Sequence, residues 1–216
     1  MTIHLPDHPT RLYLIRHGEV EEAYHQVFGG SRIDMGLSPL GLRQGQAVAE
    51  AMSARPVDAV YSSPMLRVKQ TMQPFLQVHG SQPIVMDGLR EIDFGVWTGH
   101  RWPQVQETFG VSAYDWLEIM ETTGIPEGET AQQLMERVAP CLQQILGDHP
   151  QQSVAVYCHG GIVRVILALL LEMPLARMAH FNIDYASITA VEIQPEKKHA
   201  VELDLLNWCP WRDADA

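Results

Sequence analysis

Two His-Gly pairs, His17-Gly18 and His159-Gly160, stand 142 residues apart in a chain of 216. Each follows a short apolar run, Leu12 to Ile15 before the first and Ser153 to Cys158 before the second. Apolar runs of this length, bounded by turn residues, read as buried strands. A histidine just past such a strand sits on a rigid element, and the glycine after it permits a tight turn and close approach of a ligand to the backbone. Arg16, beside His17, adds a planar fork suited to phosphate or carboxylate. Taken singly, the first pair also reads as a strand-end histidine satisfied by local hydrogen bonds, and the second as a strand-to-helix turn needing small residues. If both strands lie centrally in one parallel sheet, their ends share a rim and the two imidazoles converge there.

Two further segments carry charge suited to the same chemistry. Tyr61-Ser62-Ser63-Pro64-Met65-Leu66-Arg67 follows a strand expected over Val57 to Tyr61. Ser63-Pro64 predicts a helix cap and first helical residue, which puts Arg67 about one turn into that helix, near its free N–H groups and positive dipole end. Its bland reading is a solvated surface arginine. The loop from Leu89 to Gly99 holds Glu91 and Asp93 among Ile92, Phe94 and Trp97. A carboxyl in a partly apolar setting keeps its proton more readily, which suits a general acid. Trp97 is then expected to wall the site, and the bland reading is a surface loop anchored by its aromatics.

One segment admits a rival chemistry. Cys158-His159-Gly160-Gly161-Ile162-Val163-Arg164 also fits the C-x-x-G-x-x-R pattern of cysteine-dependent phosphatases, where a thiolate attacks inside a phosphate-cradling loop. Val165 stands where that pattern usually has Ser or Thr. No H-E-x-x-H or H-x-H spacing occurs, and the one pair of histidines four apart is His4 and His8, so no metal site is expected. His25 and His100 are candidates for the mouth of a pocket.

The elements that must position these residues follow from pattern and punctuation. Ser38-Pro39 opens a helix expected to reach Ala54, and a second runs from Ser63 to Val78. Ile84 to Met86 is a short strand, Trp102 to Met120 is helical with a break near Gly110, and Thr130 with Gln133 forms a capping box for a helix to Leu146. Gly160-Gly161 opens an apolar helix to Leu171. Ser187–Ile193 and Ala200–Leu206 read as strands around a turn at Gln194-Pro195-Glu196. Strands alternating with helices predict an α/β fold, a three-layer sandwich with a largely parallel central sheet flanked by helices, whose ligand binds beyond the carboxyl ends of the strands.

Composition bounds the partners. A chain of 24.3 kDa that is 46% apolar and 19% charged is globular, and one domain suffices for its length. A net charge of −11 repels nucleic acid and anionic membranes, so neither is expected as a partner. The apolar run Val165 to Leu171, closed by Arg164 and Glu172, is far too short to span a bilayer. The start, MTIHLPDHPT, has neither a basic region nor an apolar stretch, so no secretory signal is expected. Three scattered cysteines, Cys141, Cys158 and Cys209, suit a reducing cytoplasm.

In combination the four segments resemble the histidine phosphatase superfamily, the phosphoglycerate mutase-like fold. The resemblance rests on Arg16-His17-Gly18-Glu19, Ser62-Ser63-Pro64-x-x-Arg67-x-x-x-Thr71, Leu89-x-Glu91-x-x-Phe94-Gly95-x-Trp97-x-Gly99 and His159-Gly160-Gly161, in that order, with Pro126-x-Gly128-Glu129-Thr130 in support. It covers residues 11 to 206. It implies that His17 takes the phosphoryl group, that Arg16, Arg67, His159 and Gly160 hold its oxygens, and that Glu91 serves as acid and then base. It implies no metal and no other cofactor. Val20 replaces the Ser or Thr that often follows the tetrad, and Ala23 replaces the Asn usual in mutases. Only 68 residues separate Glu91 from His159, whereas mutases carry a longer insertion there, so the phosphatase branch is favoured over mutase-type phosphotransfer. The Glu-x-Asp-Phe-Gly-x-Trp pattern, Tyr114 with Trp116, and Tyr185-Ala-Ser-Ile most resemble alpha-ribazole phosphatases. The expected protein is one domain over residues 1–216, with 100–150 as a helical, lid-like insertion. It acts as monomer or homodimer on a small phosphorylated metabolite.

Overall fold

Strand β1 (Thr10–Arg16) shows why the sheet must be covered twice. Leu12 and Leu14 enter one apolar cluster, and Tyr13 and Ile15 enter another on the opposite face. The computed structural model describes residues 3–213. After β1 come α1 (Pro39–Ser53), β2 (Ala59–Ser62), α2 (Leu66–His79), β3 (Ile84–Val85), α3 (Trp102–Phe109), α4 (Trp116–Thr122) and α5 (Ala131–Asp148). Then follow β4 (Ser153–Cys158), α6 (Gly160–Leu170), β5 (Ile188–Ile193), β6 (Val201–Trp208) and α7 (Pro210–Asp213).

Among the described residues the strands form one sheet in the order β3-β2-β4-β1-β5-β6. The first four run parallel, and β5 is antiparallel to both of its neighbours. Val48, Met52, Val68 and Phe75 from α1 and α2 cover the face of Tyr13 and Ile15. Leu134, Val138 and Leu142 of α5 and the apolar α6 cover the other. Each such side chain, fully buried, stabilises the fold by about 1.5–3 kcal/mol. The expected three-layer α/β sandwich is therefore the observed one.

Local signals behaved as their chemistry demands. Ser38 caps α1, its hydroxyl accepting from the Gly41 N–H at 2.9 Å, with Pro39 in the first turn. Thr130 and Gln133 form the capping box of α5. Gly110, left-handed with φ 71°, ends α3, and a 3-10 turn at Ala113–Asp115 leads into α4, so the expected interrupted helix is two.

The second helix departs from expectation. It begins at Leu66, with Met65 rather than Ser63 at the cap position and no side-chain cap bond. The Ser63 hydroxyl is instead 2.8 Å from Nε2 of His159, 96 residues away. Arg67 accordingly stands at the second position of α2, not a turn inside it. Strand β3 is only two residues long and exposed.

Candidate active site

Strands β1 and β4 are neighbours with Arg16 opposite Cys158, and the His17 N–H donates to the Cys158 carbonyl at 3.1 Å. This register puts both His-Gly pairs at one level of one rim, and the rings of His17 and His159 meet edge-on with centroids 5.2 Å apart. The turn after His17 is held on every side. The Gly18 N–H donates to the Thr71 hydroxyl at 2.9 Å, and the Glu19 N–H to the Gln44 side-chain carbonyl at 2.8 Å. A Cβ on Gly18 would lie 2.6 Å from the Gly41 carbonyl oxygen, so α1 can abut this turn only because residue 18 has no side chain.

His17 is buried and its tautomer is defined by its partners. Nδ1 lies 2.8 Å from the Gly18 carbonyl, which can only accept, so Nδ1 carries the hydrogen. Nε2 is left with its lone pair and accepts from Nε of Arg67 at 3.3 Å. Burial holds the His17 pKa well below 6.5, with the Arg67 and Arg16 guanidinium groups adding to the effect and the Gly18 carbonyl opposing it. The arginines thus assist a neutral state that desolvation dominates.

The cationic groups arrive from separate elements. Arg67, buried in α2, donates to the Ile33 and Gly30 carbonyls at 3.2 and 3.0 Å. Arg16 donates to the Ile183 carbonyl at 2.6 Å, and its Cζ lies over the Tyr185 ring, 4.0 Å from its centroid. Its Nε is buried without a partner. His159 is fully buried, bonded through Nε2 to Ser63, with Nδ1 unpartnered. Burial, then Arg67 and His17, holds its pKa well below 6.5.

Glu91 is half-buried and accepts from the Ile92 N–H at 3.1 Å and the Gly161 N–H of α6 at 3.4 Å. A Cβ on Gly161 would stand 2.5 Å from the Glu91 carboxylate. Arg137 of α5 holds the loop around Glu91 from behind, donating to the Gly88 and Arg90 carbonyls at 2.8 and 3.0 Å and bidentately to Glu129 at 2.7 Å. Glu129 in turn accepts from the Asp93 N–H at 2.9 Å.

Arg16, His17, Arg67, Glu91 and Gly160 line one cleft of about 590 Å³, whereas His159 does not line it and is buried against the His17 ring. Sequence reasoning missed three roles: Tyr185 shelves Arg16, Ser63 orients His159, and Arg137 clamps the Glu91 loop. Arg164, named only in the cysteine-based rival, lines the cleft. Arg164 donates to the Gly160 and Phe181 carbonyls, both at 3.0 Å, and burial lowers its pKa to about 10. The Tyr185, Ser63 and Arg137 partnerships lie at no spacing that a sequence pattern marks, whereas Arg164 meets Gly160 four residues back on α6. His25 lines the cleft, whereas His100 does not and packs against Phe109. Trp97 is a correction: it is 2% exposed and sits in the core against Phe28 and Phe109, because the cleft wall is built by other rings.

The cysteine-based rival meets an unfavourable setting. Cys158 is 0% exposed among the apolar core, and burial pushes its thiol pKa far up, so the attacking thiolate is not available.

A strand-end imidazole, guanidinium groups and a carboxylate thus meet on the rim of one sheet. Residues 12–205 match the histidine phosphatase superfamily (branch 1), and the chain belongs to that family. It is 31% identical over 196 residues to a putative phosphoserine phosphatase 2 of Hydrogenobacter thermophilus, covering 91% of this chain and 96% of that protein. It is 26% identical over 187 residues to the adenosylcobalamin/alpha-ribazole phosphatase of Salmonella typhimurium, covering 85% and 90%. Among solved structures, a mycobacterial glucosyl-3-phosphoglycerate phosphatase superposes with a TM-score of 0.81 at 24% identity, over 92% of this chain and 99% of that one. The protein is a phosphatase of the phosphomonoesterase type.

Proposed function

We propose that the protein hydrolyses small-molecule phosphate monoesters through a phosphohistidine on His17. The observation that carries this reading is the neutral ring with its Nε2 lone pair facing Arg67 at the cleft. Nε2 attacks phosphorus, and the bond from phosphorus to the alcohol oxygen breaks. Glu91 gives that oxygen a proton. A water then attacks phosphorus, Glu91 takes its proton, the N–P bond breaks, and inorganic phosphate leaves. Arg16, Arg67, His159 and the N–H group of Gly160 hold the phosphoryl oxygens and offset the charge of the transition state. The guanidinium groups supply the charge that Mg²⁺ supplies elsewhere, so the reaction needs no metal.

Hydrolysis rather than mutase-type transfer fits the short span between Glu91 and His159. Residues 100–150 act as a lid-like insertion, supported by the contribution of Arg101, Trp102, Tyr114 and Trp116 to the cleft. The enzyme works in the cytoplasm as monomer or homodimer. Alpha-ribazole 5′-phosphate is the substrate we favour, supported by the Glu91–Trp97 pattern and the relative named above, with phosphoserine the competing candidate.

The test is His17→Ala with p-nitrophenyl phosphate in EDTA. Turnover is expected to vanish in the variant, while the native enzyme stays active and yields an acid-labile phosphohistidine when quenched. Hydrolysis that survives the substitution, or that stops in EDTA, overturns the reading.

A further inference from the structure

The cleft extends well beyond the phosphoryl site, and its outer wall is one continuous series of aromatic rings. Arg67 Nη2 donates to the Gly30 carbonyl, and a Cβ on Gly30 would stand 3.0 Å from the Phe94 ring. Phe94 meets Phe28 at 4.9 Å and Trp116 at 5.6 Å between centroids. Phe28 stacks on Trp102 at 5.2 Å with 13° between planes, and Trp102 meets Tyr114 edge-on at 5.1 Å. Four rings, Phe94, Phe28, Trp102 and Tyr114, thus lead stepwise from the arginine that touches His17 to the solvent, Trp116 flanks Phe94, and all five line the same cleft.

The last ring, Tyr114, is 77% exposed, while Phe28 and Phe94 at the inner end are 4% and 8% exposed. Apolar ring surface left in water at the end of an otherwise buried tract is favourable to cover. A phosphoryl group with a small polar alcohol fills only the inner end of 590 Å³. Beyond Arg16 and Arg67, two further guanidinium groups line the cleft, each bonded to backbone carbonyls. Arg164 is braced on the Gly160 and Phe181 carbonyls, and Arg101 reaches the His25 carbonyl. What the outer cleft presents is π-faces and ring edges, which favour another planar ring by offset or edge-on stacking.

Resting on the phosphatase reading above, we infer that the tract Phe94–Phe28–Trp102–Tyr114, with Trp116 beside Phe94, binds a planar aromatic or heteroaromatic ring carried by the alcohol half of the ester. Preference for the substrate is then set by stacking rather than by a second charge.

Adenosine 5′-monophosphate and ribose 5-phosphate release the same kind of primary oxygen and differ by a planar base, so their comparison isolates the ring. For the intact protein, kcat/KM is measured for each, together with their inhibition constants against p-nitrophenyl phosphate, which report binding even where turnover is slow. The nucleotide is expected to be favoured at least tenfold. Tyr114→Ala, at an exposed position that does not threaten folding, should reduce that ratio threefold or more through KM, and Tyr114→Phe should restore it. A ratio near one, an equal loss for both compounds in Tyr114→Ala, or a higher kcat/KM for L-phosphoserine than for the nucleotide overturns the inference. Those outcomes with His17-dependent turnover intact leave the phosphatase reading standing. Turnover that persists in His17→Ala removes that reading instead.

Discussion

At His17 burial and two guanidinium groups act together to keep the ring uncharged, and the Gly18 carbonyl decides which nitrogen keeps the hydrogen. A neutral imidazole with Nδ1–H is therefore expected across the physiological range. In histidine-labelled protein, the His17 and His159 ring resonances should stay flat between about pH 5.5 and 8, where an exposed histidine titrates near 6.5. A titration midpoint near 6.5 at His17 would contradict its assigned environment. Glu91 belongs to the same scale. In Glu91→Gln, kcat/KM for an alkyl phosphate should fall by about 10²–10⁴, the range for losing a positioned acid. The loss for p-nitrophenyl phosphate should be clearly smaller, since nitrophenolate leaves without a proton. Equal losses for the two esters would take Glu91 out of the acid role.

At the scale of elements, the site is a matter of which backbones can approach one another. The start of α6 lies against the Glu91 loop because Gly161 presents no Cβ where the carboxylate and the Ile92 side chain come within 2.5 Å. Gly161→Ala should drive the ends of the Glu91 and Ile92 side chains aside, costing up to about 1–3 kcal/mol of stability as an overpacked contact does. Activity toward alkyl phosphates should fall more than tenfold while the circular dichroism of the folded protein is kept. Native activity in this variant would show that the close approach is unimportant. The same scale explains why Ser63 was misread. Ser-Pro before a helical pattern is a sound cap signal, but a serine on a sheet rim can meet a partner from another strand, and His159 Nε2 took its hydroxyl. The first N–H of α2, at Leu66, donates instead to the Asp34 carboxylate at 2.7 Å.

For the whole molecule, charge and burial set the conditions under which the site survives. Four guanidinium groups and two carboxylates line the cleft of a chain carrying −11, so the site is a local cationic well in an acidic protein. Among the described residues no helix is long and apolar enough to cross a membrane. His17 and His159 are buried and neutral when folded, with pKa values held below the 6.5 of an unfolded chain. Below pH 6.5 the unfolded state binds protons that the folded state refuses, so stability falls as pH falls, by up to about 1.4 kcal/mol per pH unit for each ring. Urea midpoints should drop between pH 7 and 5, and His17→Gln should show a shallower fall. A native profile that rises toward acid would refute this account.

Much of the fold was legible because its signals are local. Apolar runs of strand length, the Ser38-Pro39 and Thr130–Gln133 caps, and glycines after His17 and His159 each depend on a few neighbouring residues and on backbone geometry alone. The identities of Arg16, His17, Arg67, Glu91, His159 and Gly160 as candidates were legible for the same reason. Tertiary structure alone decided that β1 and β4 are neighbours with Arg16 opposite Cys158. It alone gave Ser63 to His159, Arg137 to the Glu91 loop, and Tyr185 to Arg16. It also moved Trp97 into the core and ran the aromatic tract through other rings. Those pairings join residues far apart in the chain. No period or spacing specifies them, because they are chosen by the packing of whole layers rather than by any single segment.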